Sequence, residues 1–153
     1  MAATQPEWKL LTFSRFDASL LVQWLQLRQA VFIVEQNCAY PDIDGRDAKA
    51  LHLLGFSGDS LVAGARLFAP EGEEVRAQIG RVVVSEDSRG SGLGNTLMQQ
   101  AINACLERWP ENGIKIGAQA HLERFYTALG FNTISAVYDE DGIPHIDMEY
   151  RPE

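Results

Sequence analysis

The sequence predicts one α/β domain in which a mixed sheet carries helices on both faces. Three observations support this fold class. A β-branched strand at residues 79–84 is followed by a glycine-rich turn and by an amphipathic helix at 95–109. Two further helical segments and several hairpin signatures flank this unit. The length of 153 residues is that of a single domain, which we expect to comprise residues 1–153.

The first helix is predicted over residues 17–33, where apolar residues recur with helical spacing and Asp17 is the expected N-cap. A loop rich in Asp, Pro and Gly follows at 36–49. Strands at 51–56 and 61–68 flank a Ser-Gly-Asp-Ser turn, which indicates a hairpin. After the helix at 95–109, the remaining predicted elements are a strand at 114–118, a helix at 122–129 closed by Gly130, and a hairpin of strands 133–138 and 143–150.

The turn at residues 89–94 reads RGSGLG and connects a strand to a helix. Glycines allow positive φ, and the N-terminus of a helix offers unpaired N–H groups, so such a turn is suited to binding phosphate. A P-loop is excluded because no Lys follows the glycines. The dinucleotide fingerprint fails too, because its third glycine would fall on Asn95 or Leu97.

The pattern Arg/Gln-x-x-Gly-x-Gly/Ala does fit, through Arg89, Gly92 and Gly94. With this motif the chain resembles the GNAT superfamily of N-acetyltransferases, whose fold is a central twisted, mostly antiparallel sheet with helices on both faces. Further segments are similar to the ElaA-type branch of bacterial GNAT proteins: LR at 27–28, VFIVEQ at 31–36, DIDG at 42–45, GAQAH at 117–121, FY at 125–126, GF at 130–131 and DGIPH at 141–145.

The resemblance implies acetyl-CoA as cosubstrate, with no metal. Its pyrophosphate and pantetheine would be held by the strand end, the turn and one aromatic residue: Val82, Val83, Val84, Arg89, Gly90, Ser91, Gly92, Leu93, Gly94, Asn95 and Phe125. A backbone N–H of the strand would stabilise the thioester carbonyl, where charge develops during transfer.

The resemblance places Tyr126 beside the CoA sulfur as the proton donor. A phenol with a pKa of about 10 is a reasonable match for an aliphatic thiolate. The alternative is a half-buried tyrosine that packs with Phe125 and Phe131.

The general base is open, because Gln78 and Arg81 stand where many family members carry a Glu. Glu35 and His145 are the first candidates, followed by His52 and His121, and a chain of waters is a further alternative.

The aspartates at 42, 44 and 47 do not form an EF-hand, because the twelfth loop position is Leu53 rather than Glu. We expect a solvated acidic loop that borders the acceptor site. Cys38 has no partner that can be assigned for catalysis, and Cys105 is expected in the core.

The net charge of −8 argues against nucleic acid and favours a cationic partner such as an amine. No segment approaches the length of a membrane span, and the N-terminus lacks the features of a secretion signal, so a cytoplasmic protein is expected. The sequence leaves a homodimer open.

These observations predict an N-acetyltransferase that moves an acetyl group from acetyl-CoA to a primary amine of a small molecule or peptide. One alternative is a non-catalytic acyl-CoA-binding regulatory module. Another is a GNAT-type toxin that acetylates aminoacyl-tRNA, which the negative charge disfavours.

Overall fold

The computed structural model describes residues 6–152. Eight strands form one sheet: β1 Glu7–Thr12, β2 Leu51–Ser57, β3 Ser60–Phe68, β4 Ala77–Val84, β5 Ile114–Gln119, β6 Asn132–Thr133, β7 Tyr138–Glu140 and β8 Ile143–Tyr150. The helices are α1 Ala18–Arg28, a π-helix at Gln29–Glu35, α2 Leu93–Arg108 and α3 Glu123–Ala128. Residues 1–5, which contributed to the expectation of no secretion signal, lie outside the described residues.

The sheet has the order β1-β2-β3-β4-β5-β8-β6, and β7 also pairs with β8. Every pairing is antiparallel except that of β4 with β5. The predicted mixed, mostly antiparallel sheet is therefore confirmed.

Apolar residues cover both faces of the sheet. Leu53 belongs to the larger core beneath α2, and its neighbour Leu54 belongs to a second core with Trp24 of α1. Successive residues of a strand point to opposite faces, so the two helices lie on opposite sides. Cys105 of α2 is fully buried in the larger core, as predicted.

The structure differs from the prediction at both ends of the sheet. β1 was not predicted; its six residues pair with β2 at the sheet edge. The expected strand at 133–138 is divided into the short β6 and β7. The intervening Ile134 and Ser135 still bond to Asp147 of β8, so this segment follows β8 without forming a regular ladder.

The helix predicted at 17–33 begins as expected, with the Asp17 carboxylate accepting a hydrogen bond from the Leu20 N–H. It changes to π winding at Gln29 and continues to Glu35. α2 starts two residues before the predicted position because Gly92, with φ 80°, is its N-cap. α3 ends at Ala128, and Gly130, with a φ of 107°, follows the C-cap as the predicted closing glycine.

The expectation of a solvated acidic loop is wrong. Asp42 and Asp47 are 7% and 8% exposed. Arg28 donates to the carboxylates of both at 3.1 and 2.8 Å, and Arg66 donates to that of Asp47 at 3.1 Å. Arginines from α1 and β3 therefore neutralise these two carboxylates and attach the loop to the sheet, while residues 43–46 between them remain exposed.

Candidate active site

The parallel strands β4 and β5 separate along their length. Two residue pairs join them, Ala77 with Ile114 and Gln78 with Lys115. Beyond these pairs, β4 continues to Val84 and β5 to Gln119 without further pairing among the described residues. The result is a V-shaped gap, and residues 82–84 form one of its arms.

The glycine-rich turn follows the end of that arm. Gly90 and Gly92 have φ values of 87° and 80°, a region that L-residues rarely adopt. A Cβ at either position would meet nothing within 4 Å, so the turn opens onto free space. No side chain caps α2, so the N–H groups of its first turn, at Leu93, Gly94 and Asn95, point out at the positive end of the helix dipole.

Arg89 is bound within the protein. Its guanidinium donates to the carbonyl of Val84 from Nε and Nη2, each at 3.2 Å. It also forms a two-pronged ion pair with Glu35, at 2.7 and 2.8 Å. The hydrogen bond from Arg89 lowers the pKa of the Glu35 carboxyl below its ordinary value. Arg89 therefore connects the end of β4 to the end of the π-helix.

Tyr126 lies close to the glycine turn. Phe125, the residue before it, would be 3.8 Å from a Cβ added at Gly94 in the first turn of α2. Tyr126 itself is 6% exposed and makes edge-to-face contacts with Phe125 and Phe131. No hydrogen bond joins its hydroxyl to a described residue, and burial raises the pKa of the phenol to about 12. The side chain is a protonated donor without an internal partner.

His145 of β8 lies opposite Gln119, at the end of the other arm of the gap. Its Nδ1 is 2.7 Å from the carbonyl oxygen of Ile143. Because a carbonyl oxygen only accepts, Nδ1 carries the hydrogen, and Nε2 lies 3.5 Å from the carboxylate of Glu140. The ring stacks on Tyr138, with centroids 6.1 Å apart.

The chain after the π-helix reaches the same end of the gap. The Gln119 side-chain amide donates to that of Gln36 at 3.2 Å. The thiol of Cys38 donates to the carbonyl of Asp141 at 3.1 Å, and Cys38 is a buried free thiol. These contacts place residues 36–38 beside the terminal hairpin, on the edge of the gap.

The remaining histidines differ in their surroundings. His52 is fully buried, accepts at Nδ1 from the Trp24 indole at 3.0 Å and donates from Nε2 to the Asp47 carbonyl at 2.9 Å. Burial lowers the pKa of His52, so it is a neutral structural residue and not a base. His121 is exposed on a 3₁₀ turn at Ala120–Leu122.

The predicted residues thus form two groups. Residues 82–84, 89–95 and 125–126 lie along β4 and the start of α2, with Glu35 joined to them through Arg89. His145 lies across the gap. Sequence reasoning missed Arg81 as part of the site: its Nε donates to the Asp42 carboxylate at 2.7 Å. No local sequence signal joins two residues 39 positions apart.

Residues 6–152 contain no group of three or more His, Cys, Asp or Glu side chains arranged to hold a metal ion. Within the same range no helix is long and apolar enough to cross a membrane.

A forked sheet with a glycine turn at the start of a helix is the arrangement expected of a GNAT acetyltransferase. Comparison with known families agrees. Residues 27–152 match the acetyltransferase (GNAT) domain, so the chain belongs to the GNAT acetyltransferase family. Protein ElaA of Escherichia coli (strain K12) is 47% identical over 144 residues, which cover 93% of this chain and 94% of ElaA.

Solved structures give the same result. The crystal structure of Escherichia coli ElaA matches with a TM-score of 0.89 at 45% identity, covering 95% of this chain and 99% of that chain. An acyl-CoA N-acyltransferase from Pseudomonas aeruginosa also has a TM-score of 0.89, at 38% identity and with the same two coverages.

Proposed function

We propose that this protein transfers an acetyl group from acetyl-CoA to a primary amine, directly and within a ternary complex. The observation that carries the proposal is the position of Tyr126. This buried phenol follows Phe125, which packs near the proposed anion-binding start of α2, and its hydroxyl has no hydrogen-bond partner among the described residues. The family and the relative described as an acyl-CoA N-acyltransferase support acyl-CoA as the donor.

The residues of the turn fit a pyrophosphate. The open space at Gly90 and Gly92 and the uncapped N–H groups of residues 93–95 provide room and donors for phosphate oxygens. Arg89 adds a positive charge at the same turn, although it already binds Glu35. The arm at residues 82–84 would lie along the pantetheine, and a peptide N–H there would stabilise charge on the thioester oxygen.

In the reaction, the amine nitrogen forms a bond to the carbonyl carbon of the thioester, and the carbon–sulfur bond breaks. Tyr126 gives its hydroxyl proton to the departing thiolate. The raised pKa of Tyr126 keeps the phenol protonated at neutral pH, although it makes the phenol a weaker acid than one matched to the thiolate. Holding both reactants in the gap supplies much of the rate enhancement.

The amine must also lose a proton. His145 is the better candidate base, because a neutral ring with its hydrogen on Nδ1 has its lone pair on Nε2, and the Glu140 carboxylate 3.5 Å from Nε2 would stabilise the imidazolium that forms. Glu35 is the other candidate, but its ion pair with Arg89 lowers the pKa of its carboxyl and weakens it as a base. A chain of waters from the gap is the third route, as the sequence already allowed.

The acceptor would enter beside residues 36–38 and the terminal hairpin. The net charge of −8 favours a cationic amine through long-range attraction. We expect the acceptor to be a small primary amine or a peptide N-terminus that enters from the solvent side of the gap.

The first test measures release of free CoA thiol from acetyl-CoA across a panel of primary amines. Wild type is compared with Tyr126→Phe and with Tyr150→Phe, a matched control on β8. We expect amine-dependent release that falls at least about tenfold in Tyr126→Phe and stays unchanged in the control. The thermal midpoint of Tyr126→Phe should match wild type, because no hydrogen bond joins the hydroxyl to a described residue.

Tight acetyl-CoA binding without turnover on any amine would instead support the non-catalytic acyl-CoA-binding module. Failure to bind acetyl-CoA would contradict both functions. Isothermal titration with acetyl-CoA and with free CoA separates these outcomes.

A further inference from the structure

β4 contains a bulge. Opposite β3, Gly64 pairs with Val83 and Arg66 pairs with Gly80, so β4 has one more residue than β3 in this interval. Arg81 lies in the interval with a φ of 49°. Among the described strands it is the one non-glycine residue with a positive φ. Such a backbone is unfavourable for an L-residue and unstrained for glycine, so another interaction must hold Arg81 there.

The bulge coincides with the fork of the sheet. The β4–β5 pairing ends at Gln78, and the bulge begins after Gly80. A bulge bends its strand and increases the local twist. Its position therefore explains why β4 leaves β5 here and sets the direction of residues 82–84, which form the arm of the gap.

The side chain of Arg81 is anchored in the protein. Its Nε donates to the Asp42 carboxylate at 2.7 Å, and its Nη2 donates to the Asp42 carbonyl at 3.1 Å. The other carboxylate oxygen of Asp42 accepts from Arg28, which is fully buried. Asp42 thus joins the bulge to a buried arginine of α1 and cannot move independently of it.

We propose that Arg81 is a positioning residue for acetyl transfer, and that its bonds to Asp42 hold the β4 bulge in the conformation that directs the peptide N–H groups of Val82 and Val84 into the gap, on the side away from β3. The inference rests on the proposed function, since it concerns the same reaction. Arg81 contacts no reacting atom in this role. It acts through the backbone, where a displacement of about 1 Å can lower the rate roughly 10²-fold.

The test compares three variants. Arg81→Gly permits the positive φ but removes the anchor, and Arg81→Lys keeps the charge but loses the forked contact with Asp42. Arg76→Ala is the matched control, because Arg76 is an ion-paired arginine whose side chain is 21% exposed, as is that of Arg81. Arg76 immediately precedes β4, at the closed end of the fork.

We expect Arg81→Gly to lower kcat at least about tenfold, with Arg81→Lys in between and Arg76→Ala near wild type. The Kd for acetyl-CoA should stay within about twofold of wild type in all three, because the turn at 89–94 is unchanged. Wild-type kcat in Arg81→Gly would overturn the inference. So would an equal loss of kcat in Arg81→Gly and Arg76→Ala.

Amide hydrogen exchange gives a readout that needs no turnover. In Arg81→Gly the amide of Val83, which faces its partner Gly64 on β3, should exchange at least about tenfold faster than in wild type, while that of Ile116 in β5 stays unchanged. Arg81→Lys provides the same comparison if the glycine variant does not fold. Unchanged exchange at Val83 would overturn the inference, whereas absent turnover in wild type would count against the proposed function alone.

Discussion

Arg89 and Glu35 form a two-pronged ion pair at 2.7 and 2.8 Å, although 54 residues separate them in sequence. The pair connects the anion-binding turn to the end of the π-helix. A phosphate at the turn would compete with Glu35 for the same guanidinium.

Substitutions at this pair should therefore shift cofactor affinity in opposite directions. Arg89→Ala removes a positive charge from the turn and should raise the Kd for acetyl-CoA about tenfold. Glu35→Gln releases Arg89 and should lower that Kd by roughly two- to threefold, most clearly at low salt. Titration calorimetry measures both, and the double variant gives the coupling.

Neither substitution should change the free energy of unfolding by more than about 1 kcal/mol, because the side chains of Arg89 and Glu35 are 40% and 37% exposed. Equal Kd values for wild type and Glu35→Gln would show that the pair does not compete with phosphate.

Gly92 should be sensitive to any side chain. Its φ of 80° would strain an alanine by about 1 kcal/mol and displace the N–H groups that follow it. We expect Gly92→Ala to raise the Kd for acetyl-CoA about tenfold. Gly58→Ala is the control, since Gly58 also has a positive φ, 60°, and open space around it, but lies in the β2–β3 turn. A similar loss of affinity in both variants would contradict this account.

His145→Gln should lower kcat at least about tenfold without changing the Kd for acetyl-CoA. The defect should shrink for a weakly basic amine, which is already deprotonated at neutral pH and needs no base. His121→Gln, on an exposed 3₁₀ turn, is the control and should behave as wild type. Wild-type kcat in His145→Gln, together with a loss in Glu35→Gln, would assign the base to Glu35 instead.

Asp47→Asn should destabilise the protein by about 3 kcal/mol, because Arg28 and Arg66 would lose a shared buried carboxylate. Urea unfolding measures the change. Glu71→Gln is the control: its ion pair with Lys49 is 3.5 Å long and both side chains are mostly exposed. That substitution should change the free energy of unfolding by less than about 1 kcal/mol. Equal effects of the two substitutions would contradict the role of the buried network.

Asp47 should also make the stability of the folded protein depend on pH. Burial raises the pKa of Asp47, but hydrogen bonds and charges from Arg28 and Arg66 lower it by a larger amount. The pKa of Asp47 in the folded protein therefore lies below its ordinary value. Its stabilising contribution is complete above the unfolded pKa of about 3.9 and disappears as the pH falls through the folded pKa. His52, whose pKa is lowered by burial, adds a loss of stability that begins below about pH 6.5. The acid dependence should be weaker in Asp47→Asn.

Local sequence signals sufficed for the elements around the glycine turn. The strand, Gly92, α2 and the closing Gly130 follow from residue type and spacing, because short-range backbone preferences determine them. The π-helix did not follow, since the apolar residues at 31–34 fit an α-helical stripe equally well. β1 is six residues long, too short for its alternation to distinguish it from a loop.

Contacts between residues that are far apart in the chain could not be predicted from the sequence. Asp42 and Asp47 were expected in solvent, and only the fold brings Arg28, Arg66 and Arg81 to them. The ion pair of Arg89 and the tautomer of His145 likewise depend on partners that no spacing rule identifies. The residues of the site were therefore easier to predict from the sequence than the hydrogen bonds and ion pairs that join them.

The two residue pairs that join β4 and β5 leave a weak backbone seam between two long strands of the sheet. Across it, cohesion comes from side chains of α2 and α3 beneath the strands, which give apolar contacts but no directional bonds. A ligand seated in the seam supplies hydrogen bonds that neither strand offers the other. The bound cofactor would then bridge the two strands in place of the missing backbone pairs. At a ligand concentration of about 100 times Kd, the free energy of unfolding would rise by about 2.7 kcal/mol.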